Sequence, residues 1–166
     1  MSKNIGIDIL AKIGSCLLNV TTANGYTAMN LNSDTVKEIE VEFEDWNGKE
    51  LATYSLSYEQ DKEIGSSRGI LDNELLANID FYKKITDNTT VSRMTEKMIY
   101  DLKAFVYQFK SFRPDTLNFK SVSNQYHTID KWGVVGNIDR NMDFGQKKIG
   151  VGITINILFK QFPEQL

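Results

Sequence analysis

The chain holds a single imidazole, His127, and a single thiol, Cys16, and these two groups limit the nucleophilic chemistry open to it. A Ser, Thr or Cys nucleophile needs a base beside it and a third group to orient that base. His127 lies in Gln125-Tyr126-His127-Thr128 with Asp130 close by, yet the sequence contains no G-x-S-x-G elbow to present a serine to it. Cys16 sits in the apolar run from Ile13 to Val20 and reads as a small buried hydrophobe. One cysteine forms neither an internal disulfide nor a thiolate cluster for zinc. Metal binding through other ligands finds no H-x-x-x-H pair, and Asp139-Arg140-Asn141-Met142-Asp143 lacks the central Gly and closing Glu of a calcium loop. That segment reads as a turn held by an Asp and Arg ion pair. No cofactor is implied: there is no P-loop, and Gly145, Gly150 and Gly152 fall before and within a strand pattern, not ahead of a helix. The residues point away from an enzyme.

Carboxylates remain. Glu40, Glu42 and Glu44 alternate with Val41 and Phe43, which places three acids on one side of a strand and makes them a candidate acidic surface. Paired carboxylates also serve glycoside hydrolysis, but sequence spacing does not bring any two of them to one cleft. Trp46 and Trp132 read as partly exposed aromatics of the kind found at interfaces. Arg68, in the run Gly65-Ser66-Ser67-Arg68-Gly69, joins them as a candidate contact in a polar loop, and Asp139 and Arg140 complete the set.

The elements that would position these residues are legible from hydrophobic period. Ile5, Ile9, Ile13, Leu17 and Val20 recur every three or four residues, with Leu10 and Leu18 widening the stripe, and predict an amphipathic helix that Gly6 and Gly14 weaken. Thr21 to Asp34 reads as a loop with a short edge segment around Tyr26 and Met29. Two alternating runs from Val36 to Tyr58 flank Asn47-Gly48 and predict a β-hairpin, with Trp46 opposite Lys49, Phe43 opposite Ala52 and Val41 opposite Tyr54. Glu59 to Asp72 reads as a surface loop. A strand follows from Leu75 to about Ile85. A long helix then runs from Val91 to about Lys110, its stripe made of Val91, Met94, Met98, Leu102, Phe105 and Phe109, with caps available between Thr86 and Thr90. Leu117 to Ile129 predicts a strand with a bulge, and Gly133 to Gln146 a short strand and turn. Ile149 to Phe159 alternates without a break and is the clearest strand of the chain.

Composition sets the frame. The chain has 166 residues, 41% hydrophobic and 25% charged, with a formal net charge of −3. One domain spanning residues 1–166 is the expectation, large enough to bury a core without disulfides or metals. A slightly acidic balance gives no general attraction for phosphate backbones. No segment approaches the roughly 18 apolar residues that a bilayer demands, so no membrane partner is expected. The expected fold is α+β: a mostly antiparallel sheet with a prominent β-hairpin, packed against two amphipathic helices on one face.

Leu75 to Phe81 followed closely by the Val91 to Phe109 helix, and then Asn137-Ile138-Asp139-Arg140 leading into the Ile149 to Phe159 strand, resembles the tail terminator, or tail completion, proteins of long-tailed bacteriophages. That resemblance implies a virion protein, assembled in the host cytoplasm as a homo-oligomeric ring, commonly a hexamer. Such a ring caps the tail tube, meets the tube protein on one side and the neck or connector proteins on the other, and lets DNA pass without sequence-specific binding. Under this resemblance Glu40, Glu42 and Glu44 become candidate channel-facing residues that hold phosphates off by like charge. The alternative reading is a small acidic regulatory or inhibitor protein that binds a partner protein by mimicking nucleic acid.

Overall fold

A computed structural model describes residues 5–56, 62–67, 70–111, 119–120, 126–127 and 129–161. The helix α1 spans Ile5–Leu17. Ile9, Ile13 and Leu17 are buried, and Val20 joins them one turn on, whereas Leu18 lies on the exposed side. Gly14 has a positive role here, since a Cβ at that position would run into the hydroxyl and ring of Tyr54 on the sheet below. Absence of a side chain lets α1 approach closely.

The helix α2 spans Val91–Ser111. Its first turn is capped by Thr90, whose hydroxyl accepts the Arg93 N–H at 3.2 Å. Val91, Met94, Met98, Leu102 and Phe105 are all buried, as the helical period requires, and Ile99 and Val106 flank them. Asp101 is also fully buried, and it is the residue that fixes the loop between α1 and the sheet. Its carboxylate accepts the N–H groups of Thr27 at 2.6 Å, Ala28 at 2.7 Å and Met29 at 2.8 Å, together with the Thr27 hydroxyl at 2.9 Å. One side chain thereby satisfies three consecutive backbone donors of the loop. The Tyr26 hydroxyl adds a bond to Gln108 at 2.6 Å. The loop is therefore part of the core, with Tyr26, Ala28, Met29 and Leu31 buried.

The strands are β1 (Val36–Lys37), β2 (Leu51–Leu56), β3 (Lys62–Ser67), β4 (Ile70–Lys84), β5 (Phe119–Lys120), β6 (Tyr126–His127), β7 (Ile129–Asp143) and β8 (Lys148–Gln161). Six of them form one mixed sheet in the order β1-β2-β4-β8-β7, with β3 pairing the first part of β4; β5 and β6 pair separately. All pairings but one are antiparallel. Leu75, Ala77, Ile79 and Phe81 of β4 and the isoleucines and Val151 of β8 point to one face and merge with the helical stripes into a single core. The α+β class and the mostly antiparallel sheet agree with the sequence.

Several local expectations are corrected. The prominent hairpin is β7–β8, turning at residues 144–147, and not one around Asn47-Gly48. The strand β1 runs parallel to β2 with Val36 opposite Ala52, so the predicted antiparallel register of Phe43 with Ala52 does not form. Gly48 does take a positive φ of 88°, yet Asn47 does not, and a type I′ turn needs both. The segment from Glu59 to Asp72, expected as a loop, contributes β3 and the start of β4, which pair from Lys62 with Glu74 to Ser67 with Ile70. Asp139 and Arg140 are consecutive residues of the strand β7, so they face opposite sides of the sheet and no turn is built on an ion pair between them. Of the expected Leu117 to Ile129 strand, β5, β6 and the first residue of β7 are described, and residues 117–118, 121–125 and 128 lie outside the described residues.

Candidate functional site

The sheet face turned away from the helices carries small and polar residues: Asn78 and Asp80 on β4, Ser55 on β2, Gly150, Gly152 and Thr154 on β8, and Asp139 and Asn141 on β7. Residues 38–46 cross this face as a strap. The strap is extended at Glu42, tightens into a 3-10 turn over Phe43–Asp45 and is extended again at Trp46. Phe43 and Trp46 turn down to the sheet while Ile39 stays exposed, so an alternating sequence leaves the plane of the strands. A Cβ on Gly150 would meet the rings of Phe43 and Tyr82 at 3.1–3.2 Å, so the glycine makes room for the strap. The Trp46 ring stands 5.4 Å from that of Tyr82 and 6.2 Å from that of Phe43, and its indole N–H donates to the Lys49 carbonyl at 2.6 Å. Tyr82 donates its hydroxyl to the Val41 carbonyl at 2.8 Å, and Lys148 reaches the Trp46 carbonyl at 3.2 Å with its ammonium 5.7 Å from the indole centre.

Strap and sheet together enclose a cup of about 350 Å³. Glu40, Glu42 and Glu44 form its rim, and Ser55, Asn78, Asp80, Tyr82 and Asn141 its floor and walls. Ser55 donates to Glu40 at 3.4 Å, and Thr154 donates to Asn78 at 2.6 Å. Asp80 is the most strained acid of the group. Burial pushes its carboxyl up to about 7, and the charges of Asp139, across β8, and Glu40, on the strap, push in the same direction. The Tyr82 hydroxyl is raised first by burial and then by Asp80, Glu42 and Glu44. A negative field therefore fills the cup from three sides. Such a site suits cationic groups and rejects phosphates.

The sequence-predicted residues divide as follows. Glu40, Glu42 and Glu44 are exposed and come together, though on a strap and not along a strand. Trp46, expected at an exposed hairpin tip, is 3% exposed, so it anchors the strap and is not available as an interface residue. Asp139 shares the cup face and Arg140 faces the helix side at the free edge of β7. Arg68 lies outside the described residues, as do the side chains of Trp132 and His127. Cys16 is buried, and burial raises its thiol above the ordinary range. Asp80, Asn78, Ser55 and Asn141 were not singled out by the sequence; the signal that marks Asp80 is an acid at an outward position opposite a glycine in the strand pattern of β8.

On the opposite side of the molecule α2 presents a different surface. Arg93, Lys97, Tyr100, Lys103 and Tyr107 recur at helical spacing along its outer side, and all five are exposed. Tyr100 and Tyr107 are 54% and 72% exposed, which is high for aromatic residues on a packed helix. Among the described residues no cluster of His, Cys, Asp and Glu is arranged to hold a metal ion, and no helix is long and apolar enough to cross a membrane. A comparison of the sequence with protein-family models finds no matching family, and one with curated proteins finds no matching relative.

Proposed function

We propose that the chain is a ring-forming structural subunit of the tail terminator or tail completion type, which caps a tail tube, joins it to the head and neck, and performs no catalysis. The order of elements that supports this reading is the β4 strand, the α2 helix and the long β7–β8 pair. The single observation that carries it furthest is the unlike character of the two sides: carboxylates on the bare sheet face, cations and tyrosines on the outer side of α2. A protein with two different, complementary sides associates head to tail, and such contacts close into a ring when the rotation from one copy to the next divides a full turn. In such a ring the carboxylates take one of two places, the channel wall or the seam between copies. On the channel wall they hold DNA off by like charge; in the seam they bind the neighbouring copy.

The test is the mass of the purified chain by sedimentation velocity, together with negative-stain electron microscopy. A closed ring with a central hole is the expected result. A chain that stays monomeric at every accessible concentration overturns the ring; if that monomer instead captures a basic partner protein through its acidic cup, the inhibitor reading replaces it.

A further inference from the structure

Resting on the ring reading above, we infer that the outer stripe of α2 docks into the acidic cup of a second copy of this chain, so that the cup lies in the seam between copies and not on the channel wall. The two surfaces lie on opposite sides of the sheet. α2 packs over β8 and β7, and the cup opens on the other face of the sheet between the strap and strands β2 and β4, with Asn141 of β7 at its far side.

Their chemistry is matched. The stripe carries Arg93, Lys97 and Lys103, and Glu96 is its only exposed carboxylate. Among the described residues the one close salt bridge joins Lys83 to Glu50 at 3.2 Å, and of the stripe cations Lys97 acts on Asp87 at longer range. The cup carries Glu40, Glu42 and Glu44 on its rim, with Asp80 behind them. Seven residues separate Tyr100 from Tyr107, about 10 Å along a helix, with Lys103 between them. Tyrosines that present a flat apolar ring and a hydroxyl are the side chains that interface cores favour, and the cup offers the edge of Phe43 and the polar walls of Asn78 and Ser55 to receive them. A basic and aromatic helix face also suits single-stranded nucleic acid. Three cations beside Glu96 and Asp87, on a chain of net charge −3, favour the acidic cup as the occupant.

Charge reversal tests this with a design that separates failure of the docking from failure of the ring. One variant carries Arg93→Glu and Lys97→Glu; the other carries Glu42→Lys and Glu44→Lys. All four residues are exposed, so both variants keep the thermal stability of the natural chain, which circular dichroism verifies. Each variant alone has two like-charged surfaces and requires at least tenfold higher concentration to assemble. An equimolar mixture regains assembly, because each surface of one variant then faces an opposite charge on the other. If both variants form rings as readily as the natural chain, the seam lies elsewhere and the docking is wrong while the ring stands. If the natural chain forms no ring, both fail. Tight binding of a fluorescent single-stranded DNA oligonucleotide, abolished by Arg93→Glu/Lys97→Glu while assembly is unchanged, also overturns the docking and gives the stripe to nucleic acid.

Discussion

Asp80 and Gly152 face each other across β4 and β8, and the carboxylate of Asp80 occupies the space that a side chain at position 152 would need. This pairing turns a bare backbone position into the floor of the acidic cup. It also confines the carboxylate beneath the strap, where water is scarce and Glu40 and Asp139 add their charges.

Stability should therefore fall as pH rises. The folded chain holds the Asp80 carboxyl at about 7, above the roughly 3.9 of an unfolded aspartate, so the native state keeps a proton that the unfolded state releases. The contribution is complete below the unfolded value and is lost as pH climbs through the folded one. Asp80→Asn removes the titration. Urea denaturation at pH 8 should show the variant more stable by about 1–4 kcal/mol, with the difference vanishing near pH 4. Equal stability at pH 8 would mean that Asp80 is well hydrated.

Gly152→Ala should cost about 1–3 kcal/mol, because the added methyl displaces the Asp80 carboxylate. The cost should shrink in an Asp80→Ala background, giving a coupling of about 0.5–3 kcal/mol in a double-mutant cycle. Additive effects would show that the backbone, and not Asp80, resists the methyl.

Asp101→Ala strips the acceptor from three backbone N–H groups at once and should cost more than about 3 kcal/mol. Hydrogen exchange gives the local readout: the amides of Ala28 and Met29, slow in the natural chain, should become fast while those of β8 keep their protection.

Trp46→Ala should release the strap at a cost of about 3–5 kcal/mol, as for other buried aromatic truncations. Tyr82→Phe, which removes only the bond to the Val41 carbonyl, should cost about 1 kcal/mol by the same denaturation assay.

Much of the frame was legible in the sequence because it is encoded by period. The stripe of α2 and the alternation of Ile149 to Ile157 each repeat one local geometry over many residues, and burial follows them position by position. The strap defeated the same method. Val41, Phe43 and Trp46 alternate with acids as strand residues do, but the surface that receives two of them is made by Gly150 and Tyr82, more than thirty residues away in the chain, which no local pattern reports. Asp101 was hidden for a similar reason: its partners at residues 27–29 lie 72–74 positions earlier. The acidic cup was half visible. Its rim was marked as Glu40, Glu42 and Glu44, whereas its centre, Asp80, looked like one more solvated residue on the polar side of a strand.

The strand β8, which lies between β4 and β7, is drawn from residues 148–161, after both of its neighbours. During synthesis β4 and β7 leave the ribosome with no shared partner between them, and the edge of β4 that β8 takes stays unpaired until the last of these three segments arrives. Closure of the sheet is then a late, long-range event. A chain cut before residue 148 would lose the keystone of the sheet and should appear in inclusion bodies, not as a smaller soluble domain.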